Sequence, residues 1–440
     1  MRYQYKFFKS TTVLAAIIAV SYFSSCKVEP LIDPNNPSPD VISQNASLGE
    51  IQNLVTGTES TMRNDMSFYW DDAGVIGREF YRFSTSDPRF TSDLLGKGSA
   101  VLDNNTFYIT NPFAARYRVV KNTNILIDAL TNTKATITDA QRKAGIAYAN
   151  TIQAHELLMV FNLEYDNGIR VDVKDPDNPG PFLSKDLSLT AILDLLNLAN
   201  TDLQNNNVDF PFNSNLYSNN ALTFSKFNRA LAARVSVYKS DWTGALSALN
   251  NSFFNLIGDL NDGAYYTYST AGGDQLNPLF FPINSSGETR LAQPLFISQA
   301  EAGDSRLNKV SLRASAGFQD GLQSDYDFYV YKTNTDRIPI IRNEELVLIY
   351  AEAKAQLGGA NLADAVIALN KIRNAAGLPN YVGAVTQPAL IDEMLKQRRY
   401  SLYGEGHRWI DMRRYGRLAQ LPADRAGDDV WVEFPRPATE

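Results

Sequence analysis

Residues 397–415 read QRRYSLYGEGHRWIDMRRY, and this stretch decides how the rest of the chain is read. Arg398, Arg399, Arg408, Arg413 and Arg414 stand with Trp409 beside Glu405 and Asp411, and Gly404 and Gly406 lie between the two arginine groups. Upstream, Ile391, Leu395 and Leu402 recur at helical spacing. An amphipathic helix is therefore expected to end at the glycines, and a second, short helix to carry Trp409 and Met412. An arginine fork fixes carboxylates and backbone carbonyls in one geometry and stacks well on an indole. The favoured reading is a structural clamp of Arg398, Arg399, Glu405, Arg408, Trp409, Asp411 and Arg413. An anion site made from the same arginines is the alternative, and dense ion-pair networks are more often structural.

Outward from this stretch, 440 residues with 44% hydrophobic and 20% charged content describe a globular chain with enough apolar side chains for a sizeable core. Arg2, Lys6 and Lys9 fall in the first 25 residues, which hold no acid. The remainder carries 38 basic against 48 acidic residues, and an acidic body argues against nucleic acid as a partner and against adhesion to anionic lipid by charge alone. Cys26 is the single cysteine, so an intrachain disulfide and a zinc site of several thiolates are both excluded. Imidazole chemistry has only His155 and His407 to draw on, and His155, inside AHELLMVF, reads as a packed histidine.

The first 25 residues read as an export signal: a basic start, an apolar run from Val13 to Val20 too short to span a bilayer, then Ser24 and Ser25 directly before Cys26. A lone cysteine at that place is a candidate for lipidation, with Phe23 where leucine is usual; an ordinary signal peptide is the alternative. Residues 26–47, rich in Pro, Asn, Asp and Ser, read as a tether, and 48–440 as one domain. Within it, 48–255 is a part with helical pairs, 256–341 a loop-rich insertion, and 342–440 a set of helices with a closing strand.

Helical periodicity is clear over Val119 to Leu130, Ala140 to Glu164, Leu189 to Leu203 and Phe224 to Lys239. Two segments have the pattern of tetratricopeptide repeats: KSDWTGALSALNN, with Trp242, Ala245 and Leu249 in register, and GGANLADAVIALNKIRNAAGLP, with Ala365, Leu369, Ile372 and Pro379. They predict a mainly α scaffold of tetratricopeptide-like helix pairs and place Trp242 in the core, while the Gly-, Asn- and Pro-rich stretch 256–341 adds an irregular ligand-binding region and short β-strands. Two aromatic clusters interrupt the helices. Tyr69, Trp70, Asp71 and Tyr81 lie among charged residues, and Tyr265, Tyr266 and Tyr268 lie in a Gly- and Asn-rich loop. Rings beside carboxylates suit a pyranose, which offers a C–H face for stacking and a rim of hydroxyls. One binding surface formed by both clusters is the expectation; plain packing is the alternative for each ring.

Several segments together resemble the SusD/RagB family of nutrient-uptake outer-membrane lipoproteins. They are IPIIRNEELVLIYAEA (Ile338 to Ala353), LNKIRNAAGLP (Leu369 to Pro379), EGHRWIDMRRYG (Glu405 to Gly416), EFPRP (Glu433 to Pro437), and the lipobox-like run ending at Cys26. Gln397 and Ser401 stand where the family commonly has glutamates, and Gly404 where it often has phenylalanine. The resemblance implies a lipid-anchored protein on the outer face of the outer membrane, acting as a lid over a SusC-like TonB-dependent transporter and capturing glycans or, in RagB-type members, peptides. It implies no enzyme and no cofactor or metal, with calcium left open. The family's motifs are not themselves ligand sites.

Non-catalytic capture of oligosaccharide is the leading expectation, with peptide capture by the same architecture or a helical protein–protein adaptor as alternatives. Catalysis finds little support: Asp71 and Asp72 are adjacent, whereas glycoside hydrolysis needs carboxyl groups roughly 5–9 Å apart across a substrate. The chain has no G-x-S-x-G, H-E-x-x-H or Walker motif.

Overall fold

The computed structural model describes residues 43–175 and 177–440. The export signal, Cys26 and most of the tether lie outside the described residues.

Helix α1 (Leu48–Thr61) starts at a reciprocal cap. Ser47 Oγ accepts from the Glu50 N–H, and the Glu50 carboxylate accepts from the Ser47 N–H at 2.8 Å. Helix α2 (Met66–Ile76) stops at Gly77, and Arg78, at φ 54°, turns the chain into strand β1 (Phe80–Ser84). The periodic region then delivers long helices α3 (Phe107–Asn132) and α4 (Asp139–Glu164), a small ribbon of β2 (Ile169–Arg170) with β3 (Phe182–Leu183), and helices α5 (Lys185–Asn205), α6 (Ala221–Tyr238) and α7 (Trp242–Asn250). Each long helix packs on the next, α3 on α4, α4 on α5, α5 on α6 and α6 on α7. Helix α3 begins well before the apolar pattern suggested. Buried Tyr108 and Ile109 draw the segment before Pro112 into helix, and a proline this near the start removes only one ladder bond.

The insertion at 256–341 is more regular than its composition predicted. It holds β4 (Gly263–Tyr266), β5 (Glu288–Ala292), the short helix α8 (Pro294–Ser298), and a hairpin of β6 (Val310–Gln319) with β7 (Leu322–Phe328), followed by β8 (Ile338–Arg342). Strand β1 pairs antiparallel with β5, from Phe80 opposite Ala292 to Ser84 opposite Glu288, and the four-stranded sheet runs β1-β5-β7-β6. The partner of β5 thus lies on the far side of the helical region, which no local pattern in the insertion could reveal. A second pair joins β4 to β8.

Strand β8 leads into α9 (Asn343–Leu357), α10 (Asn361–Ala375), α11 (Gln387–Ser401) and α12 (Arg408–Arg414). Val347, Leu348, Ala365, Leu369, Ile372 and Met394 form a fully buried core between the first three of these helices. Small buried residues, Ala351 and Ala355 on α9 and Ala365 and Ala368 on α10, belong to the same core and let the two helices approach. The expected closing strand does not form among the described residues. Residues 430–440 run without strand pairing, since Pro435 and Pro437 have no N–H for a ladder, and the segment is held instead by the Phe434 N–H donating to the Leu163 carbonyl at 2.9 Å.

Candidate functional site

The arginine stretch folds as two helices around a glycine turn. Gly404 and Gly406 have φ of 74° and 76°, and a Cβ on Gly404 would sit 2.4 Å from the Phe328 ring. The turn brings α12 against the end of α11, where Arg398 Nε donates to Asp411 Oδ2 at 2.6 Å. Arg414 Nη2 reaches the other oxygen at 2.9 Å and Arg414 Nη1 reaches Glu352 Oε1 at 2.9 Å. Glu405 pairs with Arg342 at 2.7 Å, and Arg399 donates to Gln299 Oε1 at 2.6 Å. Trp409 is completely buried, its Nε1 donating to the Trp431 carbonyl at 2.7 Å, and Arg413 lies over its ring and over that of Tyr165 while donating to the Val432 and Asn162 carbonyls. The Ser401 hydroxyl accepts from Arg306 Nη1 at 3.0 Å. Burial works against ionisation of Asp411, and Arg398 and Arg414 together outweigh it and hold its carboxyl below the ordinary range. Arg408 and Arg413 stand apart in the network: burial pushes each guanidinium down to about 10, and the Nε of each has no hydrogen-bond partner.

The two aromatic clusters do meet, as packing and not as an open platform. Trp70 is 5% exposed and stands edge-on to Tyr69 at 5.1 Å and to Tyr266 at 6.3 Å between ring centres. The hollow beside these three rings is about 30 Å³, room for a water molecule and too small for a sugar. Asn162 donates to the Tyr69 hydroxyl at 2.9 Å, and the Tyr266 hydroxyl lies 2.7 Å from His155 Nε2, so the polar tips are turned inward as well. Tyr81 is buried and stacked on Phe83 at 5.7 Å, and Tyr265 is buried with the Arg337 guanidinium 3.8 Å above its ring. Tyr268 is buried beneath Arg63, which pairs with Asp274 at 2.6 Å. Asp71 is also internal: Arg290 grips it bidentately at 2.6 and 2.9 Å, and Arg82 approaches at 3.5 Å. The reason is general, since a large ring gains more from burial than from display unless a ligand covers it. Asp72 is buried with neither oxygen hydrogen-bonded, and burial followed by the Asp71 charge pushes its carboxyl well above the ordinary range.

An open groove lies instead at the edge of the four-stranded sheet. The β6–β7 register shifts between Leu312 and Gly317, so residues 313–316 bulge from the ladder. Gly317 passes Leu291 so closely that a Cβ would lie 2.2 Å from Leu291 Cδ1. The bulge is tied to the 282–287 loop. Arg313 pairs with Asp327 and donates to the Ser285 carbonyl at 2.9 Å, and the Ala314 N–H donates to Asn284 Oδ1 at 2.7 Å. Gln319 bridges to the Ser84 N–H and carbonyl at 2.9 and 2.8 Å. These ties enclose a groove of about 640 Å³ lined by Phe83, Thr85, Ser286, Arg313, Ser315 and Phe318. Phe318 is 70% exposed on its rim. A displayed ring at the rim of a groove whose mixed lining includes Ser and Thr side chains is the arrangement sought at Trp70, built from residues of the insertion together with Phe83 and Thr85. Phe318 stands in a strand of alternating exposure, a signal that needs the strand assignment first.

Trp242, expected in the core, is half-buried at the start of α7 and lines a separate cavity of about 550 Å³ between the helices. Among the described residues, no group of three or more His, Cys, Asp or Glu could hold a metal ion, and no helix is long and apolar enough to cross a membrane.

Residues 312–432 match the family model described as the SusD family. No curated protein matches the chain. Among solved structures, a SusD superfamily protein from Bacteroides vulgatus is similar with a TM-score of 0.68 at 17% identity, over 89% of this chain and 96% of that one. Surface glycan-binding protein A from Bacteroides thetaiotaomicron in complex with laminarihexaose gives the same four values. A SusD-like carbohydrate binding protein from Bacteroides vulgatus is similar with a TM-score of 0.61 at 16% identity, over 84% of this chain and 83% of that one. The fold is SusD-like and mainly α, and the family match covers the helices and arginine stretch from which the resemblance was read.

Proposed function

We propose that this SusD-like chain is a non-catalytic glycan-capture protein that binds oligosaccharide in the groove beside β6 and hands it to a SusC-like TonB-dependent transporter. Lipid on Cys26, exposed by removal of residues 1–25, anchors it to the outer face of the outer membrane, and residues 26–47 tether the single domain that follows. The observation that carries the ligand assignment is Phe318, a ring 70% exposed at the rim of a groove lined by both apolar and hydroxyl side chains, on a fold shared with a protein solved in complex with laminarihexaose. A groove of this size is within the ~300–1,000 Å³ usual for ligand sites, and one stacked ring adds only about 0.5–1.5 kcal/mol beyond area burial, which suits cargo that must be released. Asp71 is neutralised by Arg290 and Asp72 is enclosed, so this carboxyl pair is not open to a substrate.

The test is calorimetric titration of the mature domain with laminari-oligosaccharides, other neutral oligosaccharides and short peptides, for the native protein and Phe318→Ala. Phe318→Ala is expected to weaken glycan binding about three- to tenfold, with stability changed by less than about 0.5 kcal/mol, as for other exposed positions. Undiminished affinity in a folded variant refutes the groove. Binding of peptides in place of every glycan refutes the ligand class.

A further inference from the structure

The cavity on the helical side is chemically unlike the groove. It lies where the start of α5, the end of α6, the start of α7 and the end of α12 converge, and its lining contains Lys185, Lys239, Arg413 and Arg414 against a single acid, Asp186. On a chain with a formal charge of −7 this concentration of cations is local. Two of the four have their charge answered by carboxylates: Arg414 by Glu352 and Asp411, and Lys185 by Asp166 at 2.6 Å. The other two have no carboxylate partner among the described residues. Lys239 Nζ donates to the Thr190 hydroxyl at 2.6 Å, which leaves two of its three donors, and Arg413 donates only to backbone carbonyls. Both Arg413 and Arg414 also keep a buried Nε without a hydrogen-bond partner. Two cations without an ion-pair partner among the described residues, at one cavity with a single acid in its lining, give a local positive potential that favours an anion there. The walls supply the other half of the recognition. Trp242 is half-buried with no other aromatic ring in contact among the described residues, and Tyr238 and Tyr165, also half-buried, line the same cavity.

We propose that this cavity is a second glycan site, selective for carboxylate-bearing sugars of the uronic acid class. Trp242 takes the C–H face of the ring, and Lys239, backed by Arg413, takes the carboxylate. Its volume of about 550 Å³ is in the range of ligand sites. The assignment rests on the chain being a glycan binder, but on none of the residues that form the groove at Phe318.

The experiment titrates the mature protein with an oligogalacturonate, with laminarihexaose and with a poly-glutamate peptide, reading calorimetry and tryptophan fluorescence at low and high salt. Oligogalacturonate is expected to bind with a salt-sensitive affinity that Lys239→Met and Trp242→Ala each reduce about tenfold, while both variants bind laminarihexaose as the native protein does. Phe318→Ala is expected to do the reverse, so failure at either site is told apart from failure at the other. Retained laminarihexaose binding also shows that the variants are folded. Oligogalacturonate binding that is absent, unaffected by both cavity substitutions, or lost with Phe318→Ala overturns the proposal. So does equal binding of poly-glutamate, which would make the cavity a dock for an acidic protein segment.

Discussion

Replacing Asp411 by asparagine removes one negative charge from the centre of the arginine stretch and leaves its shape intact. In the native protein Asp411 is 3% exposed and accepts from Arg398 at 2.6 Å and from Arg414 at 2.9 Å. Arg414 retains Glu352 after the change, but Arg398, equally buried, has no other carboxylate partner among the described residues. Removing one member of a buried pair costs about 3–5 kcal/mol because the partner is left charged and enclosed. The amide oxygen of the introduced asparagine can still accept one hydrogen bond, which places Asp411→Asn near ~3 kcal/mol, and Asp411→Ala, which also loses volume, nearer ~5 kcal/mol. Urea unfolding of the native protein, Asp411→Asn, Arg398→Met and the double variant measures this directly. The double variant should cost about 1–3 kcal/mol less than the two singles combined, because each single change already breaks the same pair. The pH dependence gives an independent check. Asp411 has a depressed carboxyl in the folded protein, so its contribution is present above the ordinary aspartate range and is lost as pH falls through the folded value. The gap between native and Asp411→Asn should therefore close on acidification. Additive single costs, or a cost below about 1 kcal/mol at neutral pH, refute the clamp as described.

Trp70→Ala should lower stability by about 3–5 kcal/mol in the same unfolding assay, since a 5% exposed ring is removed and the adjoining 30 Å³ hollow enlarged; a small change would return Trp70 to the ligand surface. Burial pushes the carboxyls of Glu79 and Glu164 up to about 8 and about 9, from 4.5. Folded-state values that are raised give stability that is complete below the unfolded value and declines as pH rises toward about 8–9, and Glu164→Gln should flatten that decline in denaturation curves between about pH 5 and 9. Gly317→Ala places a methyl against Leu291 and should cost about 1–3 kcal/mol, measured by unfolding, with part regained when Leu291→Val is added. Because the same change displaces the bulge beneath Phe318, glycan titration should show weakened binding as well.

What could be read from the sequence was local. The break between α11 and α12 follows from two glycines at positive φ, and the helices from α3 to α7 follow from apolar residues at three and four spacing. The closeness of the Arg398 and Asp411 side chains is likewise set by one turn. The nearness of Trp70 to Tyr266 was also anticipated, but composition cannot distinguish a ring packed in a core from a ring displayed to a sugar. That depends on what covers it, and here Tyr69, Tyr266 and the polar partners of both do so.

Tertiary structure alone decided where the open surfaces lie. The groove exists because β1 pairs with β5 from a distant part of the chain and because Gly317 lets a bulge pass Leu291, and both are contacts between segments with no local signature of each other. The helical cavity exists because four helix ends converge, which turned Trp242 from a repeat core position into a wall. Even the arginine stretch, whose pairing is local, acquired its second face this way. Arg398 and Asp411 close the scaffold within one turn, whereas Arg413, on the next face of the same helix, borders a cavity that only the packing of distant helices creates.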